Sequence, residues 1–120
     1  MLEWMICKHR TGLLAAGVLF LLSGCLQHGD HMDQGQLAYQ QESYEAAITH
    51  FSEAVADAPA GQELTDSLRS LSKAYKAVGN GEEAAATLVR AMKVMQYCLE
   101  NKASGRIAQS HCPIPPWEES

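Results

Sequence analysis

Residues 13–22 form an apolar run that stops three residues before a cysteine, and this run decides how much of the chain is left to fold. Only Gly17 interrupts its hydrophobicity, and Lys8, His9 and Arg10 precede it as a short positive cluster, with Glu3 opposing them further out. As a helix the run would reach roughly 15 Å, half of the ~30 Å hydrocarbon core of a bilayer. That is too short for a stable span and suits the hydrophobic core of an export signal. Residues 5–25 also make a complete signal, so Met1 and Met5 both serve as candidate starts. With the signal gone, folding falls to residues 25–120.

The run ends in Leu22-Ser23-Gly24-Cys25. This tetrapeptide resembles the lipobox of bacterial lipoproteins. Small residues at 23 and 24 let the scissile bond enter a protease within the membrane, and the cysteine offers a nucleophilic sulfur. The resemblance implies that Cys25 receives a diacylglyceryl group, that residues 1–24 are removed, and that the new amino terminus is acylated, with palmitate the type of chain. Two or three chains, at ~0.8 kcal/mol per buried methylene, anchor firmly without a transmembrane helix. Leu26 stands where an aspartate would signal inner-membrane retention in enterobacterial lipoproteins. The implied location is therefore the periplasmic face of the outer membrane. Residues 25–30 would be a lipidated tether. The competing reading is an ordinary secretory signal with a chance cysteine.

The mature part reads as all-α. Alanine is abundant and only 7% of residues are aromatic, a mixture that favours packed helices over a sheet. Tyr44, Ala47, Ile48, Phe51, Ala54 and Val55 recur at helical spacing and predict a helix over 44–58, with Ser43 as its N-cap and Pro59 as its stop. Leu64, Leu68, Leu71, Tyr75 and Val78 predict another over 64–78, closed by the turn Gly79-Asn80-Gly81. A third follows, with Ala84, Leu88, Ala91, Met92, Met95 and Leu99 expected to face inward. A weaker helix is expected over 31–41, ahead of Ser43.

Four helices in this order resemble two tetratricopeptide (TPR) repeats, helix-turn-helix units with small residues where their helices cross. Gly35 pairs with Ser72, Ala47 with Ala84, Phe51 with Leu88 and Ala54 with Ala91, each pair 37 residues apart. The family unit is 34 residues, so three extra residues are expected in the linker over 60–63. His31 stands where the family carries a large aromatic, Ala38 replaces a tyrosine, and the second unit lacks the closing proline. A generic antiparallel four-helix bundle is the alternative. Either way, two units are fewer than a stable stack usually needs, so a partner, a second copy or the C-terminal extension must supply further burial. The implied domain runs over 31–100, with an extension over 101–120.

Cys7 leaves with the signal and Cys25 is consumed by lipid, leaving Cys98 and Cys112 as a pair in a disulfide-permissive compartment. A bridge between them would pin the tail onto the last helix, an effect on the order of 3 kcal/mol for a loop this short. Beyond it, Pro113, Pro115 and Pro116 forbid helix. Trp117 either packs into a groove or ends a frayed terminus.

Charge is uneven. Residues 25–60 carry Asp30, Asp33, Glu42, Glu45, Glu53 and Asp57 and no Lys or Arg, while every mature Lys and Arg lies between Arg69 and Arg106. A net charge of −5 argues against nucleic acid, which requires clustered cations. No nucleophile, base and orienting group fall into a known catalytic pattern, so a non-enzyme without cofactor is expected. His28, Asp30 and His31 read as a solvated polar tether rather than a metal site, and His50 as outward-facing. Arg69, Lys73 and Lys76 form one positive stripe at helical spacing. In the resemblance they fall on the positions that line the concave groove, with Met32, Gln36, Tyr39 and Gln40 from the first unit. That groove would hold an acidic or C-terminal segment of another envelope protein. The alternative for this stripe is a solvated face with Asp66 offsetting Arg69. The expected role is a lipid-anchored adaptor similar to pilotins and assembly factors of secretion or pilus systems. The alternatives are a self-associating structural lipoprotein and an accessory subunit of a cell-envelope enzyme.

Overall fold

Small side chains let two helices cross closely, and this chain does so twice in succession. The computed structural model describes residues 28–106 and 112–119. The expected export signal, the expected lipidation site at Cys25 and the segment 107–111 lie outside them. The described residues form four helices, α1 (His28–Gln40), α2 (Tyr44–Asp57), α3 (Gly61–Ala77) and α4 (Gly81–Ala103), followed by a single 3-10 turn at Pro116–Glu118. There is no strand among them. Each helix packs on the next, and α1 also touches α3. No described helix is long and apolar enough to cross a membrane.

The two hairpins are built on one plan. In the first, the Ser43 N–H donates to the Ala38 carbonyl at 2.8 Å, and the Glu42 N–H to Tyr39 at 3.0 Å. In the second, the Asn80 N–H donates to Tyr75 at 2.9 Å, and the Gly79 N–H to Lys76 at 3.0 Å. Every donor and acceptor is displaced by 37 residues from its counterpart. The backbone repeats as well, because Glu42 (φ 60°) and Gly79 (φ 81°) both adopt the left-handed conformation that ends a helix. Glycine reaches it without a Cβ penalty, and Glu42 does not. Asn80 then caps α4 by accepting from the Glu83 N–H at 3.2 Å. Ser43 occupies the equivalent place, but its side chain makes no capping bond.

The crossings explain the small residues. A Cβ on Gly35 would sit 2.5 Å from the Phe51 ring, so α1 carries glycine where α2 presents its phenylalanine. At the matching place in α3, Ser72 is buried and its hydroxyl donates to the Ala84 carbonyl of α4 at 2.6 Å. Ala47, Ala54, Ala84 and Ala91 are all buried. One core cluster joins Ala38, Ala47, Phe51, Leu71 and Ala74. A second joins Leu64, Leu68, Ala91 and Val94, with Val55, Ala58 and Ile114 packed against it.

Three details differ from expectation. The extra residues before the second unit are not linker, since α3 starts at Gly61 and takes them up as an added first turn. The first helix starts at His28, so residues 28–30 are helical rather than tether. In α4 the inward stripe is Ala84, Thr87, Ala91, Val94 and Cys98. Leu88, Met92, Met95 and Leu99, expected inside, are exposed. The smaller residues face α3, while those four stand on a flank of α4 that no described helix covers.

The tail is tied down where α3 begins and α4 ends. Cys98 and Cys112 form the expected disulfide, with Cα atoms 5.6 Å apart. Gly61 lies beneath it, and a Cβ there would meet the two sulfurs at 2.7 and 2.8 Å. The Gly61 N–H donates to the Cys112 carbonyl at 2.7 Å. Pro115 is fully buried. Trp117 meets Tyr97 edge to face, with ring centres 5.2 Å apart, and Glu118 forms a forked ion pair with Arg90. Packing on its own helix, rather than fraying, is how this tail ends.

Candidate functional site

Helix α4 presents three faces. At 100° per residue, the stripe from Ala84 to Cys98 looks inward, and Arg90 and Tyr97 on one flank carry the tail. Leu88, Met92, Met95 and Leu99 occupy the other flank and face solvent. They follow the i, i+4, i+7, i+11 spacing of a single helix face, running about three turns. Four large apolar side chains in one exposed row mark an interaction site more often than chance exposure does.

Their counterparts in the first hairpin say what such a row is for. Counting back 37 residues, Leu88 corresponds to Phe51, Met92 to Val55 and Met95 to Ala58. Phe51 shares a cluster with Leu71 and Ala74 of α3, while Val55 and Ala58 pack against the cluster containing Leu64 and Leu68 of the same helix. These are the α2 positions on which α3 lies. Phe51 is 1% exposed and Leu88 is 44% exposed, because no described helix follows α4 to cover it.

Arg69, Lys73 and Lys76 lie on the exposed face of α3. Counterparts one repeat earlier are Met32, Gln36 and Tyr39 on α1. Gln36 and Gln40 are exposed, whereas Met32 and Tyr39 are half-buried and pack against the first core cluster. Tyr39 also meets Tyr44 edge to face at 5.2 Å. The contact between α1 and α3 puts both sets on neighbouring helices. Their charge is simple: three cations on α3, uncharged residues on α1.

Sequence reasoning missed the ridge because it placed those four residues inside. The available signal was Cys98, whose bond to the tail fixes which face of α4 points inward. No known protein family, curated protein or solved structure matches the chain.

Proposed function

We propose that this chain is a lipid-anchored, TPR-type docking module of a bacterial envelope, without catalytic activity of its own. The observation that carries the reading is the α4 ridge, whose first-hairpin counterparts are covered by a helix. The occupant proposed for the ridge is an amphipathic helix from another envelope protein, laid on α4 as α3 lies on α2. Anchoring follows from the Leu22-Ser23-Gly24-Cys25 signal, and the outer membrane from Leu26. The stripe Arg69, Lys73 and Lys76, with Gln36 and Gln40 beside it, is a second contact for an acidic or C-terminal segment of the same partner. The proposed role is similar to that of assembly factors and pilotins of secretion or pilus systems.

The test is crosslinking in the native envelope. A photoreactive residue introduced as Met92→p-benzoylphenylalanine should give one discrete heavier adduct, and Leu88→Lys with Met95→Lys should abolish it. An adduct with the mass of two copies would replace the partner reading with self-association. Absence of any adduct would remove the docking role. Separately, Cys25→Ser should leave the chain unprocessed and without lipid; membrane anchorage unchanged by that substitution would defeat the anchoring half.

A further inference from the structure

The strongest unassigned feature lies between α1 and α2, at a histidine that the pattern placed in a solvated tether. His31 is one turn into α1, and its side chain is only 10% exposed. Nε2 lies 3.1 Å from an Asp57 carboxylate oxygen, and Nδ1 lies 2.9 Å from a Glu53 oxygen. His50, one turn before Glu53 on α2, brings its own Nδ1 within 3.9 Å of that same Glu53 oxygen. One ligand atom each from His31, His50 and Glu53 lies within 4.8 Å of the others.

Both Nδ1 atoms are buried and lack an aligned hydrogen-bond partner, although a Glu53 oxygen lies 2.9 Å from that of His31. With Nε2–H donating to Asp57, the Nδ1 lone pair of a neutral His31 points at a carboxylate. Buried polar atoms are ordinarily satisfied, and here two imidazole nitrogens and one carboxylate converge on the same space.

We propose that His31, His50 and Glu53 bind a zinc-class divalent cation. Two imidazoles and a carboxylate are a donor set that zinc accepts, with a fourth position left to solvent. Bonds of ~2.0–2.1 Å in tetrahedral geometry separate ligand atoms by about 3.4 Å, and the 2.9 and 3.9 Å contacts bracket that spacing. Asp57 on Nε2 supplies the carboxylate that typically orients a metal-bound histidine. His50 and Glu53 are partly exposed, which gives the ion a path in. Because the ligands come from both α1 and α2, the ion would clamp the first hairpin, and the folded state would gain whatever binding supplies. The inference is independent of the docking role.

The test uses the untagged full chain carrying Cys7→Ser and Cys25→Ser, so that no free thiol competes, with the Cys98–Cys112 bridge intact. Zinc alone should bind one equivalent and raise the melting temperature. Cobalt should give the visible bands of a tetrahedral nitrogen–oxygen site. His50→Ala and Glu53→Gln, at partly exposed positions that tolerate change, should abolish both responses. Asp57→Asn should weaken binding by about 10–100-fold. His28→Ala and His111→Ala should change nothing. No saturable one-to-one binding, or binding that survives His50→Ala, would overturn the proposal; so would binding lost only in His28→Ala or His111→Ala.

Discussion

The two hairpins share a 37-residue register, matching turn hydrogen bonds and matching alanines, yet they differ in what holds them. Phe51 of the first is enclosed by Gly35 below and by Leu71 and Ala74 of the next helix above. Leu88 of the second has only its own hairpin and stays open. In place of a covering helix, the second hairpin has a disulfide from the inward face of α4, a buried proline in the tail and an Arg90–Glu118 ion pair on the other flank. The difference teaches that a repeat's second helix is completed by the next helix in the stack. Among the described residues that cover is supplied once, by α3 on α2, and α4 presents an apolar row.

The sharpest way to break this contrast is to truncate the matched pair. Phe51→Ala should cost about 3–5 kcal/mol, since it empties a closed site. Leu88→Ala should cost under ~1 kcal/mol, since its side chain is half in water already. Denaturant titration of both variants reads the difference, and equal losses would erase the distinction between the hairpins.

Opening the disulfide should come next, at about 3 kcal/mol. Hydrogen exchange should show the loss in the last turns of α4 and the first turn of α3, where Gly61 bonds Cys112. The α1–α2 amides should keep most of their protection. Uniform loss across both hairpins would mean that they do not differ in how they are held.

Adding one methyl to each crossing separates them further. Gly35→Ala should cost about 1–3 kcal/mol through overpacking against Phe51. Gly61→Ala should cost a similar amount in the oxidised protein, and less once the sulfurs are parted. A penalty at Gly61 insensitive to reduction would contradict the close contact with the bridge.

The turns give the smallest effects. Glu42→Gly should gain about 0.5–1 kcal/mol by relieving a left-handed conformation, and Gly79→Ala should lose about 1 kcal/mol by imposing one. Thermal melts of the two variants should therefore move in opposite directions.

Much of this was legible before the structure. Glycine and alanine at the crossings, the Gly79-Asn80 turn and the pair Cys98 and Cys112 indicate four helices and a pinned tail. The phase of α4 was not legible from hydrophobicity. Leu88, Met92, Met95 and Leu99 outweigh Thr87 and Val94 on any apolar scale, but they stand on the flank that only a following helix would cover. His31 was hidden for another reason. Its partners Glu53 and Asp57 lie on the next helix, and no local spacing connects residues that meet only when the hairpin closes. The basic stripe was readable because a single helix carries it.

The α4 ridge is open in the isolated chain, and the chain's own methionines measure it. Oxidative footprinting compares Met92 and Met95 on the ridge with Met32 against the core. Met92 and Met95 should oxidise several-fold faster than Met32 in the purified protein. Protection of both to the level of Met32 would show the ridge already covered, and would contradict it.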